Sequence, residues 1–166
     1  SRNLSNWDVS SVTNMSFMFE KAIKFNSDLS NWDTSEVTNM KGMFSEATRF
    51  NYSLGDWEVG KVKDMSCMFK NAKEFNSDLN SWCVYFVTDM SGMFQGASKF
   101  NGEIKDWNTI NVRNMECMFY EATQFDRNIA GWDILRVATM KQMFFKCSNF
   151  NCDLSDCEVS KVTNMS

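Results

Sequence analysis

The chain repeats itself every 25 residues without an insertion or a deletion. "VTNMSFMFEKAIKFNSDLSNWDTSE", from Val12 to Glu36, is followed at once by "VTNMKGMFSEATRFNYSLGDWEVGK". No other feature restricts the fold as strongly. A unit this short cannot bury its own apolar residues and must stack them on those of its neighbours, which makes the chain a solenoid. Trp7, Trp32, Trp57, Trp82, Trp107 and Trp132 are all six tryptophans and share one position of the repeat, with Cys157 next in line. The 13 methionines fill two columns, Met15 to Met165 and Met18 to Met143. Phenylalanine fills two more, Phe19 to Phe144 and Phe25 to Phe150, valine holds Val12 to Val162, and Leu or Ile holds Leu4 to Leu154.

Counted from Val12, there is a partial unit 1–11, six complete units (12–36, 37–61, 62–86, 87–111, 112–136 and 137–161) and a partial unit 162–166. Neither end reads as a polar cap, so a stretch of a longer array is expected. Within a unit, Val37, Met40, Met43, Phe44 and Ala47 are spaced to share one face of a short helix, with Asn39 as its N-cap. Trp alternating with Val or Thr around "LSNWDTS" predicts a half-buried strand. Each unit therefore reads strand, turn, helix, loop. The expected fold class is α/β: six such units stacked into one parallel sheet, with short helices on the other side. The column Asn26, Asn51, Asn76, Asn101 and Asn151 predicts a buried stack of amides that satisfies loop backbone in successive units.

"FNSDLSNWDTSEVTNMKGMF" and "FNGEIKDWNTINVRNMECMF" resemble the repeat of the BspA-like surface-protein family of bacteria and protists. The resemblance covers the whole chain. It implies a leucine-rich-repeat-like solenoid on the cell surface or outside the cell, with adhesion or partner binding as its work, and it brings no catalytic residues. Asp126 in place of the loop Asn, Cys147 in place of Ala and Cys157 in place of Trp depart from the pattern toward the C-terminal side.

There is no histidine, so the commonest general base and any imidazole metal ligand are missing. The seven glycines sit singly and form no phosphate loop. Acidic residues recur at Asp8, Asp33, Glu58, Asp133 and Glu158 and at Asp28, Asp78, Glu103 and Asp153, which leaves carboxylate catalysis or calcium binding to be weighed against a solvated face. The solvated face is preferred: the chain is read as no enzyme, with no cofactor and no metal. A net charge of -4 with scattered basic residues argues against a nucleic-acid partner. No apolar run is long enough for a membrane span.

Stacking decides which of the six cysteines can meet. Cys67 and Cys117 lie two units apart, about 10 Å along the axis, too far for a disulfide. Cys83 lies alone. Any pair of Cys147, Cys152 and Cys157 could bond, and whether one does is left open.

If Trp and the residue two positions on face inward, the outward surface is polar and acidic, with Asp33, Glu58, Asp106, Asp133, Asp156 and Glu158 on it. One column departs from this. Ser10, Ser35, Gly60 and Ser160 give way to Tyr85, Ile110 and Leu135 in three successive units, with Phe86 beside the first. Such an apolar ridge rimmed by polar groups marks a contact surface, unless it folds inward and extends the core. The expected function is non-catalytic surface recognition or adhesion, binding a protein or glycan partner through these residues. The alternative is a structural spacer or a self-assembling element of an extracellular filament or coat.

Overall fold

The computed structural model describes residues 4–155 and 162–164. Within them the 25-residue units stack coil upon coil. Single parallel bridges join the same position of each coil, from Asn14 through Asn39, Asp64, Asp89, Asn114 and Thr139 to Asn164. The rest of each coil is built of turns. Among the described residues there is no helix, and β-pairing is confined to those single bridge residues. The expectation of a leucine-rich-repeat-like α/β solenoid, with a parallel sheet on one side and short helices on the other, is overturned.

The stretch expected as a helix shows why. In an α-helix every amide would bond four residues back. Here the amides alternate between two destinations. Met40, Gly42, Phe44 and Glu46 donate to the carbonyls of Asp64, Ser66, Met68 and Lys70 in the next coil, at 2.6–3.0 Å. Met43, Ser45 and Ala47 donate three residues back within their own coil. Two positions in these seven residues are left-handed, Gly42 at φ 57° and Glu46 at φ 60°, and the same two recur in the following coils. Each stands third in a four-residue turn, where a positive φ is the type II requirement and where a right-handed helix cannot continue. The apolar spacing is kept all the same, because a run of tight turns also returns Met40, Met43, Phe44 and Ala47 to the interior.

Asn39 accepts from the Lys41 amide at 2.9 Å, the same bond an N-cap makes, but it closes an Asx turn with no helix after it. The expected strand fails similarly. Trp32 and Thr34 are buried and Asp33 is exposed, in the alternation of a strand. Turns close on either side, however, from the Trp32 amide to Leu29 at 3.0 Å and from Val37 to Thr34 at 2.9 Å. Between these two turns too few extended residues remain for a ladder.

The core is a set of columns. Phe44, Phe69, Phe94 and Phe119 stack with ring centroids 5.6–5.7 Å apart, and each also lies against the second phenylalanine of its own coil, at 4.1 Å for Phe44 and Phe50. The tryptophans stack beside them, Trp32 on Trp57 and Trp82 on Trp107 at 6.4 Å. Their indole N–H groups are not wasted: Trp57, Trp82, Trp107 and Trp132 each donate to the Leu or Ile carbonyl 28 residues earlier, at 2.8–3.1 Å. The asparagine column links coils as expected, Asn51 accepting from the Asn76 amide at 2.9 Å and Asn76 from Asn101 at 2.7 Å. It lies at the surface, however, and is not the buried stack the sequence predicts. Asp126 keeps its place in the ladder, accepting from Asn151 at 3.1 Å, because only the acceptor oxygen is used.

Two glycines stand tight against the coil before them, although other coils carry side chains at the same places. A Cβ on Gly102 would fall inside contact distance of the Ser77 carbonyl oxygen, and one on Gly96, at φ 67°, would run into the Asn71 side chain.

Candidate binding surface

Each coil turns a corner between its Trp segment and its bridge residue. In the coil of Trp82 the corner is closed by the Val87 amide donating to Val84 at 3.0 Å, which puts Tyr85 and Phe86 at the apex. With Val84 and Val87 buried on either side, the two rings project outward, 42% and 54% exposed. They meet edge to face with centroids 5.0 Å apart. Leu135 occupies the equivalent corner two coils on, 38% exposed, and Ile110 between them is half-buried. A polar chain ties these corners together: Asn111 donates to the Tyr85 carbonyl at 2.8 Å, and Arg136 donates to the Asn111 side-chain oxygen at 2.8 Å.

Two of the acidic residues before the corner are placed by local turns. Asp33 accepts from the Ser35 amide at 3.0 Å and Asp133, half-buried, from the Leu135 amide at 3.0 Å. Asp106 accepts from the Asn80 side chain at 2.6 Å. Glu58 is exposed. The Ser10 and Ser35 hydroxyls and amides hold the Asp8 and Asp33 carboxyls below their usual range, and the Ser30 and Ser155 amides and hydroxyls do the same for Asp28 and Asp153. A depressed pKa is the reverse of what a proton-donating carboxyl needs at neutral pH. These columns thus have a structural duty as turn formers. Among the described residues no three of His, Cys, Asp or Glu come together to hold a metal ion.

The other sequence candidates resolve similarly. Cys67, Cys83, Cys117, Cys147 and Cys152 are free thiols, and Cys157 lies outside the described residues with Asp156, Glu158 and Ser160. Cys147 sits in the alanine column, its thiol facing the Ala122 carbonyl at 3.2 Å, and burial pushes its pKa up to about 11. Beside the ridge, Gly55 and Gly60 leave an open depression of about 370 Å³ floored by Trp57 and Val59 and edged by Glu58 and Cys83.

Two features escaped the sequence reading. Lys61, Lys63, Arg113 and Arg136 are all exposed on the far side of the corner from the acids. Their signal was present in the residues one and three places after the ridge column. On another part of the coil Tyr120 and Phe145 stack at 5.0 Å with the Lys146 ammonium 5.4 Å from the Phe145 ring, in a column that is Glu20, Ser45, Lys70 and Gln95 before them.

Stacked turn-built coils with a polar surface and one apolar corner ridge define a repeat protein. The chain matches the family described as "Mycoplasma protein of unknown function, DUF285" over residues 1–86 and again over 79–166, and it belongs to that family. No curated protein matches it. Among the described residues no helix is long and apolar enough to cross a membrane.

Proposed function

We propose that the chain is a non-catalytic recognition module that works outside the cell, holding a protein partner against the corner ridge of Tyr85, Phe86, Ile110 and Leu135. The observation that carries the reading is the exposure of Tyr85 and Leu135 at a position where other coils have Ser or Gly, with Phe86 exposed beside the first. A coil with a small residue at that corner folds equally well, so these side chains are not demanded by the stack. Aromatic groups at a solvent-facing apex, rimmed by charge, have the composition of a binding hot spot. Extended contact surfaces are the usual work of stacked repeats, and the resemblance to BspA-like surface repeats supports an extracellular setting. Asp33, Glu58, Asp106 and Asp133 supply the polar rim.

The test replaces Tyr85, Ile110 and Leu135 together by Ser, their small counterpart in other coils. Beads carrying either form are passed over immobilised polypeptides and polysaccharides. Retention on polypeptide by the natural chain, lost in the triple variant, is the expected result. Equal retention of the two forms, with circular dichroism showing both folded, would overturn the reading.

A further inference from the structure

In three coils the ridge runs along a boundary between opposite charges, an acid one or three places before the corner and a base one or three places after the ridge residue. In the coil turning between Val59 and Val62, Glu58 precedes the corner and Lys61 and Lys63 follow it, Lys61 being paired within the chain to Glu36 at 2.5 Å and Lys63 exposed beyond it. In the coil turning between Thr109 and Val112, Asp106 precedes and Arg113 follows. In the coil turning between Ile134 and Val137, Asp133 precedes and Arg136 follows. The coil between the first two of these has no charge at either place. Ser81 and Cys83 stand before its corner and Thr88 after it, with the Tyr85 and Phe86 rings at the apex.

From this we infer that the partner of the ridge is a second copy of this chain, packed ridge to ridge, parallel and in register. The inference rests on the recognition reading above and names its partner. The argument is one of symmetry. A two-fold axis along the stack sends the side before the corner onto the side after it and keeps every coil at its own level. Glu58 then faces the partner's Lys63, and Asp106 the partner's Arg113. Asp133 likewise faces the partner's Arg136, while the uncharged Tyr85 and Phe86 level meets itself. An antiparallel pair would instead set acid side against acid side and base side against base side, which is repulsive. The parallel arrangement is isologous and closes at two chains. Its aromatic centre and charged rim follow the anatomy of a specific interface. The coil of Asp33 has Glu36 across its corner, so the matched region begins at the next coil.

The experiment is sedimentation equilibrium of the 166-residue chain over a concentration series, with two reversed-charge forms. One carries Glu58→Lys and Asp106→Lys, the other Lys63→Glu and Arg113→Glu. None of these side chains closes a corner turn. The natural chain is expected to rise from 19.3 kDa toward twice that mass, and to fall back as salt screens the rim. Each reversed form alone should stay monomeric, and an equimolar mixture should regain the dimer, a rescue that misfolded chains could not give. A single-chain mass up to about 1 mM would overturn the inference. So would a mixture no more associated than its components, or oligomers that survive the Tyr85, Ile110 and Leu135 triple replacement, since these would be formed by other surfaces. Ridge-dependent retention on a polypeptide without self-association would sink the dimer and leave the recognition reading standing. Absence of both would end both.

Discussion

The indole nitrogen of Trp82 donates to the main-chain carbonyl of Leu54, 28 residues earlier, at 2.8 Å. One side chain thereby fills the core of its own coil and fastens it to the coil before. Trp82 is 3% exposed and packs against Phe69 and Trp107. Trp82→Ala is expected to destabilise the chain by about 3–5 kcal/mol, as truncation of a buried aromatic does. Trp82→Phe should cost less, retaining ring packing while leaving the Leu54 carbonyl with the Trp57 amide alone. Urea denaturation of the two variants measures the difference. A loss under about 1 kcal/mol for the alanine form would show that the column does not hold the stack.

The asparagine ladder predicts an asymmetry between two substitutions of similar size. Asn76→Asp keeps an acceptor for the Asn101 amide, as Asp126 does naturally for Asn151, and should be nearly silent. Asn76→Leu removes that acceptor and should cost about 0.5–1.5 kcal/mol, the net worth of one hydrogen bond. Thermal melts of both variants decide the matter, equal melting temperatures counting against the ladder.

Much of this was open to reading from the sequence, and the reason is specific. Met40, Met43, Phe44 and Ala47 are all fully buried, because a residue type repeated every 25 positions can only mark a fixed place in a stack. The backbone that carries them was not readable from their spacing. Helical and turn-built paths bury the same offsets, and the deciding factor was the destination of alternate amides, which leave the coil for its neighbour. The left-handed positions gave a faint hint, Gly42, Gly92 and Gly96 with Asn71, but Cys67, Glu46 and Lys146 occupy the same places and obscured it. The surface column of Tyr85, Ile110 and Leu135 was visible as a departure from Ser and Gly. The basic row across the corner became meaningful only once the turn had placed it opposite the acids.

Gly102→Ala is expected to destabilise by about 1–3 kcal/mol through overpacking. The added methyl has the Ser77 carbonyl in its way, and backbone cannot swing aside as a side chain can. Gly60→Ala, at a site with nothing within 4 Å, is the control and should leave the melting temperature unchanged. Equal melting of the two variants would mean that the coils can separate locally at little cost.

Acid should loosen the turns through Asp8 and Asp33. Their carboxyls titrate near 3.8 in an unstructured chain and lower in the fold, so the unfolded form binds more protons as pH falls. The stabilisation is complete above the ordinary value and drains away as pH drops through the lowered one. A chain carrying Asp8→Asn and Asp33→Asn retains acceptors that do not titrate, and its melting temperature should fall less steeply below pH about 4. Parallel curves for the two chains would assign the acid sensitivity elsewhere.

Thiol chemistry should separate the cysteines by position. Cys83 is exposed, whereas Cys147 is 8% exposed with its pKa pushed up to about 11. Brief iodoacetamide treatment at neutral pH, read by peptide mass spectrometry, is expected to label Cys83 and spare Cys147 until the chain is unfolded. Early labelling of Cys147 would place it in a fraying coil.

The bridges and indole bonds tie each coil to its immediate neighbours and to no others. A pull along the axis is therefore borne by the coil junctions in series, with no parallel strut to share the load. Such an object does not snap as a whole. It surrenders one link at a time, each released coil paying out roughly 80–90 Å of slack chain. Anchored at one side and gripping at the other, it would act as a tether that lengthens in measured steps under drag and rewinds when the drag stops.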